Sequence, residues 1–379
     1  MILVSRTQAW QPSKLGLVAD CPLRYLLETE RLEVPRLPVG PATLLGIIAH
    51  SIAAECSRLG SLGTPELRAS ILSQFEWLAR REHRSLLGWL VMHRPQCRVL
   101  GPALLNEQCR RIKQRWRLAT SYEVEGASPR SSGRSIMSGG FGVERPLSDE
   151  ELGMSGRLDA VCSYSDGEVC VHEYKTGPIS IGEAELRPVY RAQILAYGVL
   201  AKRTFGVRQV RLMVSGADGL WERILSSSME EEVMELLRRA NEALPLGVSR
   251  QAETLAVMGE HCARCQVRPG CPSYMSLLAS GERNESTEAL AKGDFHGEVR
   301  VYQEPQGLST LHLLAPNRTA QVTGVPIQLV DDLSGKRPLS VFGLRSAEVK
   351  PRGRSISNFF VTHPSDVSGS AFQFLTVCR

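Results

Sequence analysis

Two short segments of alternating polarity flank the dipeptide Asp166-Gly167, and this pattern constrains the fold more than any other. Residues 156–163 and 169–174 are typical of β-strands, and an Asp-Gly pair between two strands is a strong hairpin signal. Apolar residues recur at helical spacing before the hairpin, in 41–120, and after it, in 183–204. The sequence therefore predicts a mixed α/β fold built around this hairpin.

The hairpin carries the side chains with the clearest chemistry. Asp159 lies on its first strand, whereas Glu173 and Lys175 lie two residues apart near the end of the second and therefore on one face. A two-residue turn would place Asp159 opposite Tyr174, on the other face from Glu173. A three-residue loop would place it opposite Lys175, so we predict an odd loop or a bulge.

Two carboxylates on one face repel each other unless a cation lies between them. Oxygen ligands favour Mg²⁺ or Mn²⁺, and a neighbouring lysine can stabilise the charge that builds up on a phosphate. The chain contains only seven lysines, so a lysine two residues after Glu173 is less easily explained by chance. The alternative is a solvated hairpin with an ordinary Glu–Lys surface pair.

Two further motifs add polar groups to this picture. His50 ends an apolar helical turn and supplies an imidazole that can complete a metal site, although a lone histidine is more often a core or surface residue. Gln193 and Tyr197 are four residues apart and so share one face of the predicted helix. In isolation, this pair is equally well explained as a polar stripe on a packed helix.

Composition fits a folded protein of more than one domain. The 379 residues suffice for two domains, and 42% apolar with 22% charged residues exclude wholesale disorder. No apolar run is long enough to span a membrane, and residues 1–14 lack the apolar segment of a signal peptide, so we expect a cytoplasmic protein with no membrane partner. The net charge of +5 comes mainly from arginine, which suits nucleic acid but also a GC-rich genome.

Ten cysteines are many for a cytoplasmic chain, where disulfides are rare and clustered thiols indicate metal or redox chemistry. Cys262, Cys265 and Cys271 lie within ten residues of one another. Three ligands need a fourth from elsewhere, and Cys21 is the candidate. Spacing alone leaves both zinc and an iron–sulfur cluster open.

Taken in order, these motifs resemble the CRISPR-associated iron–sulfur exonucleases, RecB-like members of the PD-(D/E)XK nuclease superfamily. The resemblance covers about residues 17–272 and is carried by six motifs: Cys21, Gly46-x-x-x-His50, Gly156-x-x-Asp159, Glu173-Tyr174-Lys175, Gln193-x-x-x-Tyr197 and Cys262-x2-Cys265-x5-Cys271-Pro272.

The resemblance implies a role for each of these residues. His50, Asp159, Glu173 and the backbone carbonyl of Tyr174 would bind the catalytic Mn²⁺ or Mg²⁺. Lys175 would position the attacking water or stabilise the pentavalent phosphate, and Gln193 and Tyr197 would complete the pocket. Cys21, Cys262, Cys265 and Cys271 would hold a [4Fe–4S] cluster that joins the two ends of the nuclease domain. Glu144, before the hairpin, is a weaker candidate for an additional acidic residue.

The implied architecture is a nuclease domain over residues 1–285 and a β-rich domain over 286–379. The second domain faintly resembles the N-terminal β-domain of the CRISPR adaptation integrase, and an independent barrel that binds DNA or protein is equally tenable. Single-stranded or overhang-bearing DNA is the implied substrate, and adaptation integrase proteins are implied partners. The alternatives are a repair or anti-phage nuclease of the same chemistry and a non-catalytic, zinc-stapled DNA-binding scaffold.

Overall fold

A five-stranded mixed sheet forms the centre of the molecule in a computed structural model. Its strand order is β2-β3-β4-β7-β8, with β4 and β7 parallel and every other neighbouring pair antiparallel. The strands are β2 (Gly142–Asp149), β3 (Met154–Ser163), β4 (Glu168–Tyr174), β7 (Gln209–Gly216) and β8 (Gly219–Ile224). The described residues are 3–30, 32, 34, 36–37, 46–48, 50–52, 64–81, 109–110, 142–163, 167–175, 177–182, 185–280, 294–304, 308–315, 318–326, 339–342, 356–362 and 372–377.

The helices pack around this sheet and around each other. They are α1 (Pro12–Asp20), α2 (Pro22–Thr29), α3 (Thr64–Arg81), α4 (Pro188–Phe205), α5 (Ser227–Ala243), α6 (Ala252–Leu255) and α7 (Pro272–Ser280). Helix α4 has the most buried central segment, because residues 193–201 are all buried. It contributes to one large core that also contains apolar residues of β3, β4 and β7. This helix therefore lies where its polar side chains can reach the ends of the strands.

The N-terminal segment is joined to residues far along the chain. β1 (Leu3–Val4) pairs antiparallel with β9 (Arg250–Gln251), and the Arg6 side chain donates from Nε to the carbonyl of Leu244 at 3.0 Å. Trp10, which is fully buried, donates from Nε1 to Asn241 at 3.0 Å. The first 30 residues are thus an integral part of the core.

A short hairpin connects the sheet to α4. It consists of β5 (Ser180–Ile181) and β6 (Glu185–Leu186), and residue 182 is a glycine with φ 69° that the backbone conformation requires. The predicted helix 183–204 therefore begins later than expected, at Pro188. Proline is well suited to this first helical position because it has no N–H to satisfy.

The C-terminal residues form a separate antiparallel sheet with strand order β12-β11-β10-β13-β14-β15. Its strands are β10 (Phe295–Glu304), β11 (Leu308–Ala315), β12 (Arg318–Pro326), β13 (Leu339–Phe342), β14 (Ile356–Thr362) and β15 (Phe372–Val377). The sequence predicts a β-rich region here, without β12 (apart from Pro326) and β14, and the strand it predicts at 326–330 lies, beyond Pro326, outside the described residues. The boundary at residue 285 falls within 281–293, outside the described residues, and stays a prediction.

One predicted helix cap is wrong. The spacing of Ser228 and Glu231 suggested a capping box, but the N-cap of α5 is Ser226, whose hydroxyl accepts from the N–H of Met229 at 3.3 Å. Ser228 instead lies within 2.9 Å of the Ser226 hydroxyl. In the described part of the chain, no helix combines the length and the apolar character needed to cross a membrane.

Candidate active site

The register between β3 and β4 decides whether the two acidic residues meet. Ser163 pairs with Val169 and Ala160 pairs with His172, so five residues separate the innermost pair. Continuing this register by one step aligns Asp159 with Glu173. The predicted odd loop is confirmed, but the predicted partner is wrong: Glu173, rather than Lys175, is aligned with Asp159.

Asp159 is held from two sides and is buried. The backbone N–H of Tyr174 donates to its Oδ2 at 2.8 Å. His50 approaches its other oxygen, with 3.0 Å between Nδ1 and Oδ1. The helical residues 46–48 and 50–52 therefore place His50 beside the first carboxylate.

Glu173 and Lys175 form a compact hydrogen-bonded group with Gln193 of α4. The Lys175 ammonium donates to Oε1 of Glu173 and to Oε1 of Gln193, both at 2.8 Å. The Gln193 amide donates to the same Glu173 oxygen at 2.7 Å. The other oxygen of Glu173, Oε2, is buried and has no hydrogen-bond partner among the described residues.

The electrostatics of Glu173 follow from this placement. Burial, and then the nearby Asp159 carboxylate, raise the pKa of Glu173 to about 7, against the opposing effect of Lys175. A buried carboxylate with an unpaired oxygen beside a second carboxylate is expensive in the absence of a counter-ion. The site therefore has a surplus of negative charge that a cation would neutralise.

Tyr190 is a site residue that the sequence analysis missed. Its ring centroid lies 5.0 Å from the Lys175 ammonium, within the range of a cation–π contact. Tyr190 is three residues before Gln193 on α4, so the helical spacing that predicted the Gln193–Tyr197 pair also offered this residue. Nothing in the local sequence marked it as a partner of Lys175.

Tyr197 packs against β3 close to Asp159, and its predicted role in completing the pocket stays a prediction. Its hydroxyl donates to the backbone carbonyl of Arg157 at 2.8 Å, and its ring would lie 2.8 Å from a Cβ at position 156. Glycine is therefore needed at 156 so that the tyrosine ring can pack against β3. Tyr197 touches the strand two residues before Asp159, and its observed contact is with backbone rather than with the carboxylates.

The chemistry of the donor groups favours a metal ion at this site, whereas the geometry of the described side chains does not form a ready-made site. In the described part of the chain, no three side chains of His, Cys, Asp or Glu lie close enough to hold one ion. Asp159 and Glu173 are engaged with internal partners, so metal binding requires them to exchange some of these contacts. The residues nevertheless fit a hard divalent cation, because Glu173 offers a buried unpaired oxygen and the charge surplus is negative.

The four predicted cluster cysteines lie in one region of the fold. Cys21 joins α1 to α2 and packs in the same core as Cys265, with Cys271 against it. Cys262 and Cys271 pack together in a neighbouring cluster. All four thiols are free, and burial raises the pKa of both Cys265 and Cys271 to about 11. A metal or cluster would have to displace these protons.

A buried ion pair links residues 262–271, here called the cysteine loop, to the C-terminal sheet. Arg268, between Cys265 and Cys271, donates to both oxygens of Asp294 at 2.6 and 3.1 Å. The Tyr274 hydroxyl also donates to Asp294 at 2.6 Å, and Arg268 donates to the carbonyl of Cys265 at 3.0 Å. Asp294 directly precedes β10, so this contact crosses the predicted domain boundary. The side chain of Glu144 lies outside the described residues.

Comparison with known proteins shows the superfamily to which the chain belongs. The sequence profile of the PD-(D/E)XK nuclease superfamily matches residues 9–272, more than half of the chain. The chain belongs to the PD-(D/E)XK nuclease superfamily, and membership implies metal-dependent nuclease activity. The matched range includes Asp159, Glu173 and Lys175 and ends just after Cys271.

The other comparisons add less. Among solved structures, the chain is similar to one titled "Crystal structure of SSO0001", with 14% sequence identity and a TM-score of 0.28. The similarity covers 61% of this chain and 95% of the other. At this TM-score it carries no argument about the site. No curated protein sequence matches the chain.

Proposed function

We propose that the protein is a Mg²⁺- or Mn²⁺-dependent deoxyribonuclease that acts as an exonuclease on single-stranded DNA or overhangs. The observation that carries this proposal is the buried Glu173 carboxylate, with one unpaired oxygen, next to Asp159 and hydrogen-bonded to Lys175. Superfamily membership supports the nuclease chemistry. DNA and the exonuclease mode rest on the order of the sequence motifs.

In the proposed reaction, water attacks the phosphorus and one P–O bond breaks, so that the leaving oxygen takes up a proton. Asp159, Glu173 and His50 would hold the divalent ion, which supplies Lewis-acid stabilisation of the phosphate. Lys175 is held by Glu173 and Gln193 at 2.8 Å each and places a positive charge where the transition state becomes more negative. The Tyr190 ring shields one side of this ammonium.

We further propose that Cys21, Cys262, Cys265 and Cys271 bind a [4Fe–4S] cluster with a structural role. These thiols come from opposite ends of residues 9–272 and pack in adjoining clusters. This packing supports a cluster that would join the two ends of the domain. Four thiolates around a cubane lie farther apart than around a single ion, which is compatible with the absence of a compact three-ligand group in the described part. Zinc with four thiolates is the alternative.

The setting we propose is DNA processing for CRISPR spacer acquisition, with adaptation integrase proteins as partners. The support is the motif order and the resemblance of residues 286–379 to the integrase β-domain. A repair or anti-phage nuclease with the same residues would do the same chemistry. Gene neighbours would separate these two settings.

The decisive test is incubation of anaerobically purified protein with end-labelled single-stranded and duplex DNA, with Mn²⁺, with Mg²⁺ and with chelator. We expect metal-dependent shortening of the single strand from one end. Internal cutting would contradict the exonuclease mode, and an absence of cleavage in every metal would contradict the nuclease. The non-catalytic scaffold would then be favoured.

The cluster has its own test. Protein kept free of oxygen is expected to be brown and to contain about four irons per chain. Cys21→Ser should lose the colour although position 21 is far from the other cysteines in sequence, whereas Cys170→Ser should keep it. Stoichiometric zinc without iron would show that the zinc alternative is correct.

A further inference from the structure

The Lys175 ammonium is held by groups from two different elements of the fold. It donates to Oε1 of Glu173, on β4, and to Oε1 of Gln193, on α4, both at 2.8 Å. The ring of Tyr190, also on α4, lies 5.0 Å from the same nitrogen. The position of this charge therefore depends on how the end of β4 is held relative to the start of α4.

The backbone that follows Lys175 runs along the end of β7 and the turn after it. The N–H of Lys175 donates to the carbonyl of Ser215 at 2.8 Å, which extends the parallel pairing of β4 and β7 by one residue. The N–H of Ala217 donates to the carbonyl of Gly177 at 3.0 Å. The chain that leaves the candidate active site is thus still bound to the sheet two residues later.

Asp218, in the turn between β7 and β8, completes this contact with its side chain. Its Oδ1 accepts from the N–H of Ile179 at 2.7 Å, and its Oδ2 accepts from the N–H of Ser180 at 2.9 Å. A Cβ at position 216 would lie 2.4 Å from a methyl group of Ile179 and 2.7 Å from the carbonyl of Gly177. Glycine at 216 therefore lets the segment approach the turn closely enough for Asp218 to bind it.

Ile179 passes this constraint on to α4. The side chain of Ile179 is buried, and its carbonyl accepts from the N–H of Arg187, the N-cap of α4, at 2.9 Å. The carbonyl of Arg187 accepts from the N–H of Tyr190 at 2.9 Å. One residue is thus bonded through its N–H to Asp218 and through its carbonyl to the start of the helix that carries Tyr190 and Gln193.

We propose that Asp218 is a positioning residue for Lys175. By holding residues 179–180, it fixes the end of β4 relative to the start of α4 and so keeps the ammonium between Glu173 and Gln193. Asp218 acts through the backbone and does not touch the reacting atoms. Its effect on cleavage rests on the proposed nuclease function, whereas its effect on the place of Lys175 does not.

Three variants of the full-length protein test this role. Asp218→Ala removes both acceptor oxygens, Asp218→Asn keeps an acceptor without the charge, and Gly216→Ala pushes the segment away while Asp218 is intact. The control is Asp149→Ala, which removes another turn carboxylate, one that accepts from the N–H of Leu152 at 2.8 Å and pairs with Arg203. Urea denaturation gives the folded fraction of each variant.

The first measurement is NMR of protein labelled in its lysine side chains, in chelator and without DNA. The chain has seven lysines, and loss of one signal in Lys175→Arg identifies that of Lys175. We expect Asp218→Ala and Gly216→Ala to shift the Nζ and Cε signals of Lys175, because the ammonium loses its fixed acceptors. Asp218→Asn should restore most of the original position, and Asp149→Ala should leave the signals unchanged.

The second measurement is cleavage of a labelled oligonucleotide with Mn²⁺, expressed per folded molecule. We expect Asp218→Ala to lower kcat about tenfold, since a displaced ammonium stabilises the transition state less well. KM should stay within about twofold, because the lost interaction is made in the transition state. Asp218→Asn should recover most of the loss, and Asp149→Ala should match the unmodified protein.

Unchanged Lys175 signals in Asp218→Ala would overturn the positioning role, and so would an equal shift in Asp149→Ala. A loss of kcat in Asp218→Asn as large as that in Asp218→Ala would assign the effect to charge and also overturn it. Should Gly216→Ala fail to fold, the two variants at position 218 decide alone. Shifted Lys175 signals without cleavage by the unmodified protein in any metal would support the positioning role and refute the nuclease.

Discussion

The molecule contains two buried groups of charged side chains that satisfy their charges in opposite ways. In the cysteine loop, Asp294 accepts from Arg268 with both oxygens and from Tyr274, and Arg268 also donates to a carbonyl. In the candidate active site, Glu173 accepts from Lys175 beside a second carboxylate, Asp159, and the other oxygen of Glu173 has no hydrogen-bond partner among the described residues. The Arg268–Asp294 group balances its charges, whereas the group around Glu173 has more negative than positive charge.

This is the difference expected between a structural group and a group that acts in catalysis. A buried ion pair with all its hydrogen bonds made fixes two chain segments in one arrangement, and removal of either partner leaves a stranded charge. A buried carboxylate pair with too little positive charge has a raised pKa and is poised to take a cation. Each group can therefore be tested by its response to loss of charge.

The largest effect is expected in the active site. Asp159→Ala and Lys175→Ala should each lower kcat by at least about 10²–10³-fold, since each removes a metal ligand or a charge that stabilises the transition state. Asp159→Ala should change unfolding in urea little, whereas Lys175→Ala should lower stability because it leaves the buried Glu173 carboxylate without its cation, so activity is compared per folded molecule. Lys202→Ala, which breaks the ion pair with Glu230, is the matched control and should retain activity. Near-normal cleavage by both site variants would show that the site lies elsewhere.

Next in size is the loss of stability from the cysteine loop. Asp294→Ala strands the buried Arg268 and should cost about 3–5 kcal/mol of unfolding free energy. Glu232→Ala, which breaks an exposed pair with Arg191, should cost no more than about 1 kcal/mol. Equilibrium urea denaturation measures both. Similar small losses of unfolding free energy in the two variants would show that the Arg268–Asp294 pair does not have the structural role assigned to it.

The raised pKa of Glu173 predicts a pH dependence in the absence of metal. The pKa is about 7 in the folded protein and near 4.5 when the chain is unfolded. The folded state therefore binds this proton more tightly, and the stability it contributes is present below pH about 4.5 and is lost as pH rises through 7. In chelator, we expect a fall on the order of 3 kcal/mol between pH about 5 and pH about 8.

Glu173→Gln provides the control for this pH dependence, because the amide does not titrate. The variant should show a flatter stability profile over the same range in urea denaturation. An identical slope in the variant and the unmodified protein would assign the proton to another group.

The smallest effect is expected at Tyr197. Tyr197→Phe removes the hydrogen bond to the carbonyl of Arg157 and should cost about 1 kcal/mol of stability. Activity per folded molecule should fall only slightly. A loss of kcat larger than tenfold with unchanged stability would instead support the pocket role that the motif order implied.

The sequence predicted which side chains of the candidate active site lie together where local geometry governs their placement. Glu173 and Lys175 share a strand face by alternation, and the need for an odd loop placed Asp159 near them. The precise register escaped prediction because it depends on how many residues separate the paired ends of the two strands, which the strand pattern does not fix. Helical spacing found Gln193 but could not say that Tyr197 would pack against Gly156.

Long-range contacts were beyond local patterns. Asp294 lies after a polar stretch without periodicity, and nothing near it in sequence indicates that it pairs with Arg268. Asp218 is an ordinary turn residue until the loop after Lys175 folds back on it. These residues are recognised only from the three-dimensional arrangement, because their partners lie 26 and 38–39 residues away.

The pairing of β1 with β9 has a consequence for how the chain is made. Leu3 and Val4 are synthesised early, whereas their partners Gln251 and Arg250 are added some 250 residues later. At about 5–20 residues per second, this is an interval of roughly 10–50 s. During it, the first strand has no edge to join and Cys21 has no cysteine loop beside it. Residues 3–21 therefore reach their final contacts only after residues 250–271 have been added.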